Sequence, residues 1–164
     1  MEKKEVVAML LKNGGKLVKD LTVKNVTVTV MENYVRIALT VDKKLDGMIA
    51  QEDGTYKEGK TKVIFVSLYS ITAQLKDNEN AAFAVNDLLR NPNGAEVILS
   101  RAKVNVIQEA VKAGTDYKNP WSEKEDANVT HFDHNTIINH VVDIELSDRA
   151  NALLDRLALS KLGM

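Results

Sequence analysis

LTVKNVTVTVMENYVRIALTV, residues 21–41, decides the fold. Val26, Val28 and Val30 point one way and Thr27 and Thr29 the other, the two-residue period of a half-buried strand. Leu21 and Val23 are out of phase with them, which predicts a bulge near Lys24-Asn25. After Met31-Glu32-Asn33 the chain returns as YVRIALTV with Val35, Ile37, Leu39 and Val41 inward. The stretch predicts a bulged antiparallel hairpin.

Working outward, residues 2–12 predict a short amphipathic helix with Val6, Met9 and Leu10 on one face, stopped by Asn13-Gly14-Gly15. Downstream, GMIAQ, the turn Glu52-Asp53-Gly54-Thr55 and KVIFVSLYS predict a shorter hairpin. Its second strand is apolar on both faces, so it is expected at the centre of a sheet. Residues 79–90 predict a helix with Asn78 as cap, Glu79 in the first turn and Phe83, Leu88 and Leu89 as its apolar side. Asn91-Pro92-Asn93-Gly94 is expected to end it. AEVILSRAKVNVIQ, from residue 95 to 108, predicts one long strand. Residues 109–134 predict an acidic loop, TIINHVVDIEL a further strand, and Ser147 the cap of a final helix carrying Leu153, Leu154 and Leu157 to Gly163. No repeat or linker interrupts the pattern, so residues 1–164 are expected to form one mainly β (α+β) domain with N-terminal, mid-chain and C-terminal helices.

Hydrophobic residues make up 45% of the 164 and charged ones 27%, with 22 basic against 23 acidic side chains and a net charge of −1. That is an ordinary globular balance, and the total draws the chain toward neither nucleic acid nor anionic membrane. The absence of cysteine excludes disulfides and thiolate metal sites. MEKKEVVAMLLKNGG lacks the long apolar stretch and cleavage site of a signal peptide, and no window reaches membrane-spanning length. A cytoplasmic location is expected, or a virion if the protein is phage-encoded, with no membrane partner.

GTYKEGKT, residues 54–61, has the written form of a phosphate-binding loop: Gly54, Gly59, Lys60, Thr61. Such a loop needs a helix to begin at its lysine, so that backbone N–H groups and the helix dipole hold the phosphates. The β-branched and aromatic residues after Lys60-Thr61 predict a strand instead. The match is read as chance and no nucleotide site is expected there. His131, His134 and His140 fall within ten residues, with Asp133 between the first two. His140 is expected on the inward face of its strand with Ile138, Val142 and Ile144, roughly 20 Å of extended chain from His134. One ion cannot join them, and no metal or other cofactor is predicted. Asp143 and Glu145 share a polar strand face near Asn139 and read as solvated. With no serine elbow or cysteine nucleophile, no catalytic residue is assigned and the protein is not expected to be an enzyme.

Tyr117, Pro120, Trp121 and Phe132 gather in or beside the 115–134 loop. Exposed aromatics in a loop suit a partner anchor, or a stacking surface for bases; the alternative is that Trp121 folds back over the sheet. That loop holds five acids and two lysines, a net −3 that suits a protein partner better than a phosphate backbone.

VIFVSLYSITAQL (63–75) is similar to the third strand and following helix of the oligonucleotide/oligosaccharide-binding (OB) barrel of bacterial and phage single-stranded-DNA-binding proteins. NPNGAEVILSRAKVNV (91–106) resembles that family's glycine turn and fourth strand, and NHVVDIELS (139–147) its closing strand. The resemblance covers residues 21–147. It implies a five-stranded OB-like barrel, and single-stranded DNA as a ligand held by a basic groove and projecting aromatics. Here residues 21–66 carry seven basic against six acidic side chains, and Tyr34, Tyr56 and Phe65 are their aromatics. The expected role is therefore a non-enzymatic structural module binding other protein chains, of the auxiliary capsid kind, within an oligomer or larger assembly. Its alternative is single-stranded-DNA binding.

Overall fold

The computed structural model describes residues 2–75, 87–121 and 129–161. Along the chain these form α1 (Lys3–Lys12), β1 (Lys16–Val30), β2 (Val35–Ala50), β3 (Tyr56–Ser67), α2 (Leu68–Leu75), α3 (Pro92–Leu99), β4 (Lys103–Val111), β5 (Asp116–Lys118), β6 (Val129–His131), β7 (Thr136–Glu145) and α4 (Asp148–Lys161). The 21–41 stretch is the hairpin of β1 and β2, with Val26 opposite Leu39 and Val28 opposite Ile37. The register shifts between Val23 and Asn25, so Leu21, Val23 and Val26 are all buried despite their mixed parity. A second irregularity lies between Val18 and Leu21, where Asp20 adopts φ 60° and its N–H donates to Asn105 Oδ1 at 3.0 Å. Together the two bends let one half of β1 pair with β2 and the other half with β4.

The resulting antiparallel sheet runs β3-β2-β1-β4-β7 and curls into an OB-like half-barrel with helices around it, an α+β fold. Side chains draw β2 against β4 and β7. The carbonyl of Asp46 on β2 accepts from Gln108 Nε2 at 2.7 Å and from Asn139 Nδ2 at 3.0 Å, and Gln108 Nε2 also donates to Asn139 Oδ1 at 3.1 Å. At Gly47 a Cβ would lie 2.6 Å from Thr61 Cγ2 on β3 and 3.4 Å from Asn139 Nδ2 on β7. The main core fills the concave side, from Leu21, Ile37, Leu39 and Ile64 to Ile71, Ile98 and Leu154. Ser67 Oγ accepts from Ser70 N and turns β3 into α2, whose Gln74 Nε2 donates to the Val141 carbonyl at 3.0 Å. A second, smaller core lies on the other side of β4 and β7, where α1 places Val6 and Leu10 on Ile107 and Val142.

Several expectations change. Residues 95–108 are not one strand: α3 occupies Pro92–Leu99, and β4 starts at Lys103. Asn91 begins that helix, its side chain accepting from Asn93 N at 2.9 Å, and Pro92 occupies the first turn, where its missing N–H costs nothing. The expected glycine turn and fourth strand of residues 91–106 therefore reduce to the start of β4. The strand at residues 62–67 is at the sheet edge, not its centre; Ile64 and Val66 are buried while Phe65 is exposed. The short hairpin is the far end of one long β2–β3 ribbon. β4 runs on to Val111, and β5 pairs with β6, so the 109–134 segment is not all loop. Of the helix expected over residues 79–90, Asn78, Glu79 and Phe83 lie outside the described residues; Leu89 is fully buried in the main core.

Candidate functional site

Because Ile37, Leu39, Ile64 and Val66 face the core, alternation turns Arg36, Ala38, Thr40, Val63 and Phe65 to the outer face of β1-β2-β3. Thr27, Ala38 and Phe65 sit side by side across the three strands, and Thr29, Arg36 and Ser67 form the next row. Phe65, near the end of β3, is 51% exposed, an apolar ring open to solvent. The Arg36 guanidinium lies over it, 4.6 Å from the ring centroid. Its neighbours Ala38 and Thr27 are short, so the surface beside the ring is low. Tyr34, at the β1–β2 turn, and Tyr56, at the start of β3, are 51% and 49% exposed. Lys24, Lys43, Lys44 and Lys62 are exposed on the same strands.

The four loop residues named from the sequence are brought together at the other end of the sheet, over β4 and β7 on the face turned away from the main core. Pro120 is buried, and Tyr117, Trp121 and Phe132 are half-buried. Trp121 folds back onto the second core beside Val7 and Met9 of α1. Its indole Nε1–H donates to His140 Nδ1 at 3.0 Å, and His140 Nε2 meets Glu109 Oε1 at 2.9 Å. Tyr117 OH donates to the same Glu109 oxygen at 2.7 Å, and its ring packs 5.9 Å from that of Phe132. A donor facing Nδ1 makes that nitrogen the acceptor, so the ring proton belongs on Nε2, aimed at the carboxylate.

Burial pushes the Glu109 carboxyl up, but hydrogen bonds from His140 and Tyr117 outweigh it and hold it below its ordinary value. Burial, followed by the hydrogen bond to Glu109 and its negative charge, pushes the Tyr117 phenol well up. These polar groups satisfy one another; they form a latch between the loop and the sheet.

His140 is 6% exposed. It was expected to share its face with Ile138, Val142 and Ile144, but a bulge intervenes, Asn105 pairing with Asp143 and Val106 with Val141. Val142 joins His140 on the α1 side, whereas Ile144 packs on the main core. His131 and His134 are exposed, His131 Nδ1 lying 3.0 Å from Asp116. Among the described residues no group of three or more His, Cys, Asp or Glu is placed to hold a metal ion. Asp143 and Glu145 are exposed, Asp143 accepting from Asn105 Nδ2 at 3.3 Å. Gly54, at φ 86°, is in the β2–β3 turn. Gly59, Lys60 and Thr61 lie within β3, Lys60 paired with Asp46, and the strand continues to Ser67. Among the described residues no helix is long and apolar enough to cross a membrane.

Arg36 and Phe65 are the pair that the sequence reading missed. Their signal was present, since both sit one residue out of phase with inward-facing neighbours. No protein-family model, curated protein or solved structure matches the chain, so its chemistry rests on its own geometry.

Proposed function

We propose that the outer face of β1-β2-β3 binds single-stranded nucleic acid, without catalysis. The observation that supports this reading is Phe65, half-exposed on the edge strand of the face, with Arg36 over its ring and the short side chains of Ala38 and Thr27 across from it. An aromatic ring with a planar cation gives a base two stacking partners, and every base has a face to offer, so such binding tolerates sequence. Exposed lysines on the same strands supply the phosphate contacts. The protein-docking role rested on the aromatics of the 115–134 loop, and the latch to His140 takes up Trp121 and Tyr117.

Fluorescence anisotropy of a labelled oligonucleotide of about eight residues tests the proposal. Wild-type protein binds it at low salt and releases it as salt rises, and Phe65→Ala weakens binding by roughly tenfold or more, from the loss of stacking with one base. An oligonucleotide that wild-type protein does not bind at low salt overturns the reading. The exposed Phe65 face then falls to the protein-docking role.

A further inference from the structure

At the end of the Phe65 face a cavity of about 610 Å³ opens between the β1–β2 turn and α2. Val30, Asn33, Tyr34, Ser67, Thr72 and Arg90 are among the residues that line it. We infer that this cavity holds one nucleotide of the strand, its base against Tyr34 and its phosphate toward Arg90, while the neighbouring base stacks on Phe65. The inference rests on the nucleic-acid reading of the adjoining face and adds a second, separate subsite to it.

Continuity comes first. Ser67 lines the cavity and is the cross-strand partner of Arg36, so one wall of the cavity is the row of the sheet next to that of Phe65. Volume comes second: the space falls within the range of small-molecule pockets, and a nucleotide is of that class. Chemistry comes third. Tyr34 offers a half-exposed ring, and Val30, 75% exposed, adds apolar surface that folding alone leaves in water. Asn33 and Glu32 bring amide and carboxylate groups of the kinds that pair with base edges. Arg90 brings a guanidinium, the side chain whose fork fits phosphate. A mononucleotide therefore meets an aromatic, an edge-reading amide and a cation in one concavity, whereas the flat Phe65 face offers stacking alone.

The two subsites separate experimentally. Deoxyadenosine 5′-monophosphate titrated into isotopically labelled wild-type protein is expected to shift the amide signals of residues 30–35 and Thr72. Tyr34→Ala abolishes those shifts and also weakens the oligonucleotide by roughly tenfold, and Tyr34→Phe restores both. Phe65→Ala weakens the oligonucleotide but leaves the mononucleotide shifts intact. Tyr34 is an exposed turn residue, so its replacement leaves the core unaltered. No mononucleotide shift at residues 30–35, or one that persists in Tyr34→Ala, overturns the cavity inference, even where Phe65→Ala still weakens the oligonucleotide. Wild-type protein that shows the mononucleotide shifts but binds no oligonucleotide overturns the stacking face and leaves the cavity as a mononucleotide site.

Discussion

The Trp121 indole N–H donates to His140 Nδ1 at 3.0 Å, joining a loop to the middle of β7 across the second core. Trp121→Phe keeps most of the ring's packing and deletes that donor, leaving a buried nitrogen without its partner. The expected cost is about 1–3 kcal/mol, the range for an unmatched buried polar group. A urea titration followed by circular dichroism measures it. The latch lies on the β4–β7 side, so oligonucleotide affinity should not change. An affinity loss that matches the stability loss would place the loop at the binding face after all.

Tyr117 adds a pH dependence. Its phenol is raised above the ordinary 10.0 by burial first and by Glu109 second. The unfolded chain thus gives up this proton before the folded protein does. The stabilising contribution is fully present below the ordinary value and is lost as pH rises above it. Glu109 acts at the other end: its carboxyl is held below 4.5, so its contribution is present above that value and disappears as pH falls through the acid range. Unfolding midpoints should decline on both sides. Tyr117→Phe should flatten the alkaline limb above about pH 10 while lowering stability at neutral pH by the lost hydrogen bond to Glu109. An alkaline decline identical in Tyr117→Phe and wild type would assign it to other groups.

Where side-chain alternation alone decides structure, the sequence was readable: the β1–β2 hairpin with its bulge at Val23/Asn25, the strand at 136–145 and the capped final helix follow from local pattern. The errors fall where one local signal has two meanings. Asn91-Pro92 stops one helix in many chains, but here it starts the next, because an Asn cap and a first-turn Pro serve an N-terminus equally well. KVIFV looks two-sided, yet Val63 and Phe65 face outward at an edge, and only tertiary placement shows which apolar face stays open. The β7 bulge leaves Val142 on the face of His140 and turns Ile144 to the other, an offset that no period-two count foresees. Of the site itself, the outward parity of Phe65 and of Arg36 was each legible within its own strand. That one lies over the other is a product of cross-strand register.

The polar clasp at the barrel seam is a further test of the fold. Gln108 is buried and gives its Nε2 to both the Asp46 carbonyl and Asn139 Oδ1. Gln108→Leu removes both bonds but leaves Asn139 Nδ2 on the same carbonyl, so the barrel should loosen rather than unfold. About 1–3 kcal/mol of stability should be lost. Amide hydrogen exchange is expected to quicken at the seam, around Gly47 and Thr61, and to stay slow in the β1–β2 hairpin. Uniform quickening along the whole sheet would show that the clasp carries global rather than local stability.

Both terminal helices bury an apolar stripe inside their own chain. Val6 and Leu10 of α1 fill the second core, and Ala150 and Leu154 of α4 are fully buried against the main one. A short helix is marginal by itself in water, so the packing of α4 must hold it in place. Leu154→Ala opens a cavity in the main core and should cost about 2–5 kcal/mol, with the spread set by how far the site collapses. Because Leu154 packs within the chain, the change should leave the elution volume on size-exclusion chromatography where it is for wild type, while the thermal midpoint falls. A variant that keeps its midpoint but dissociates into smaller species would move α4 from the core of one chain to the contact between two.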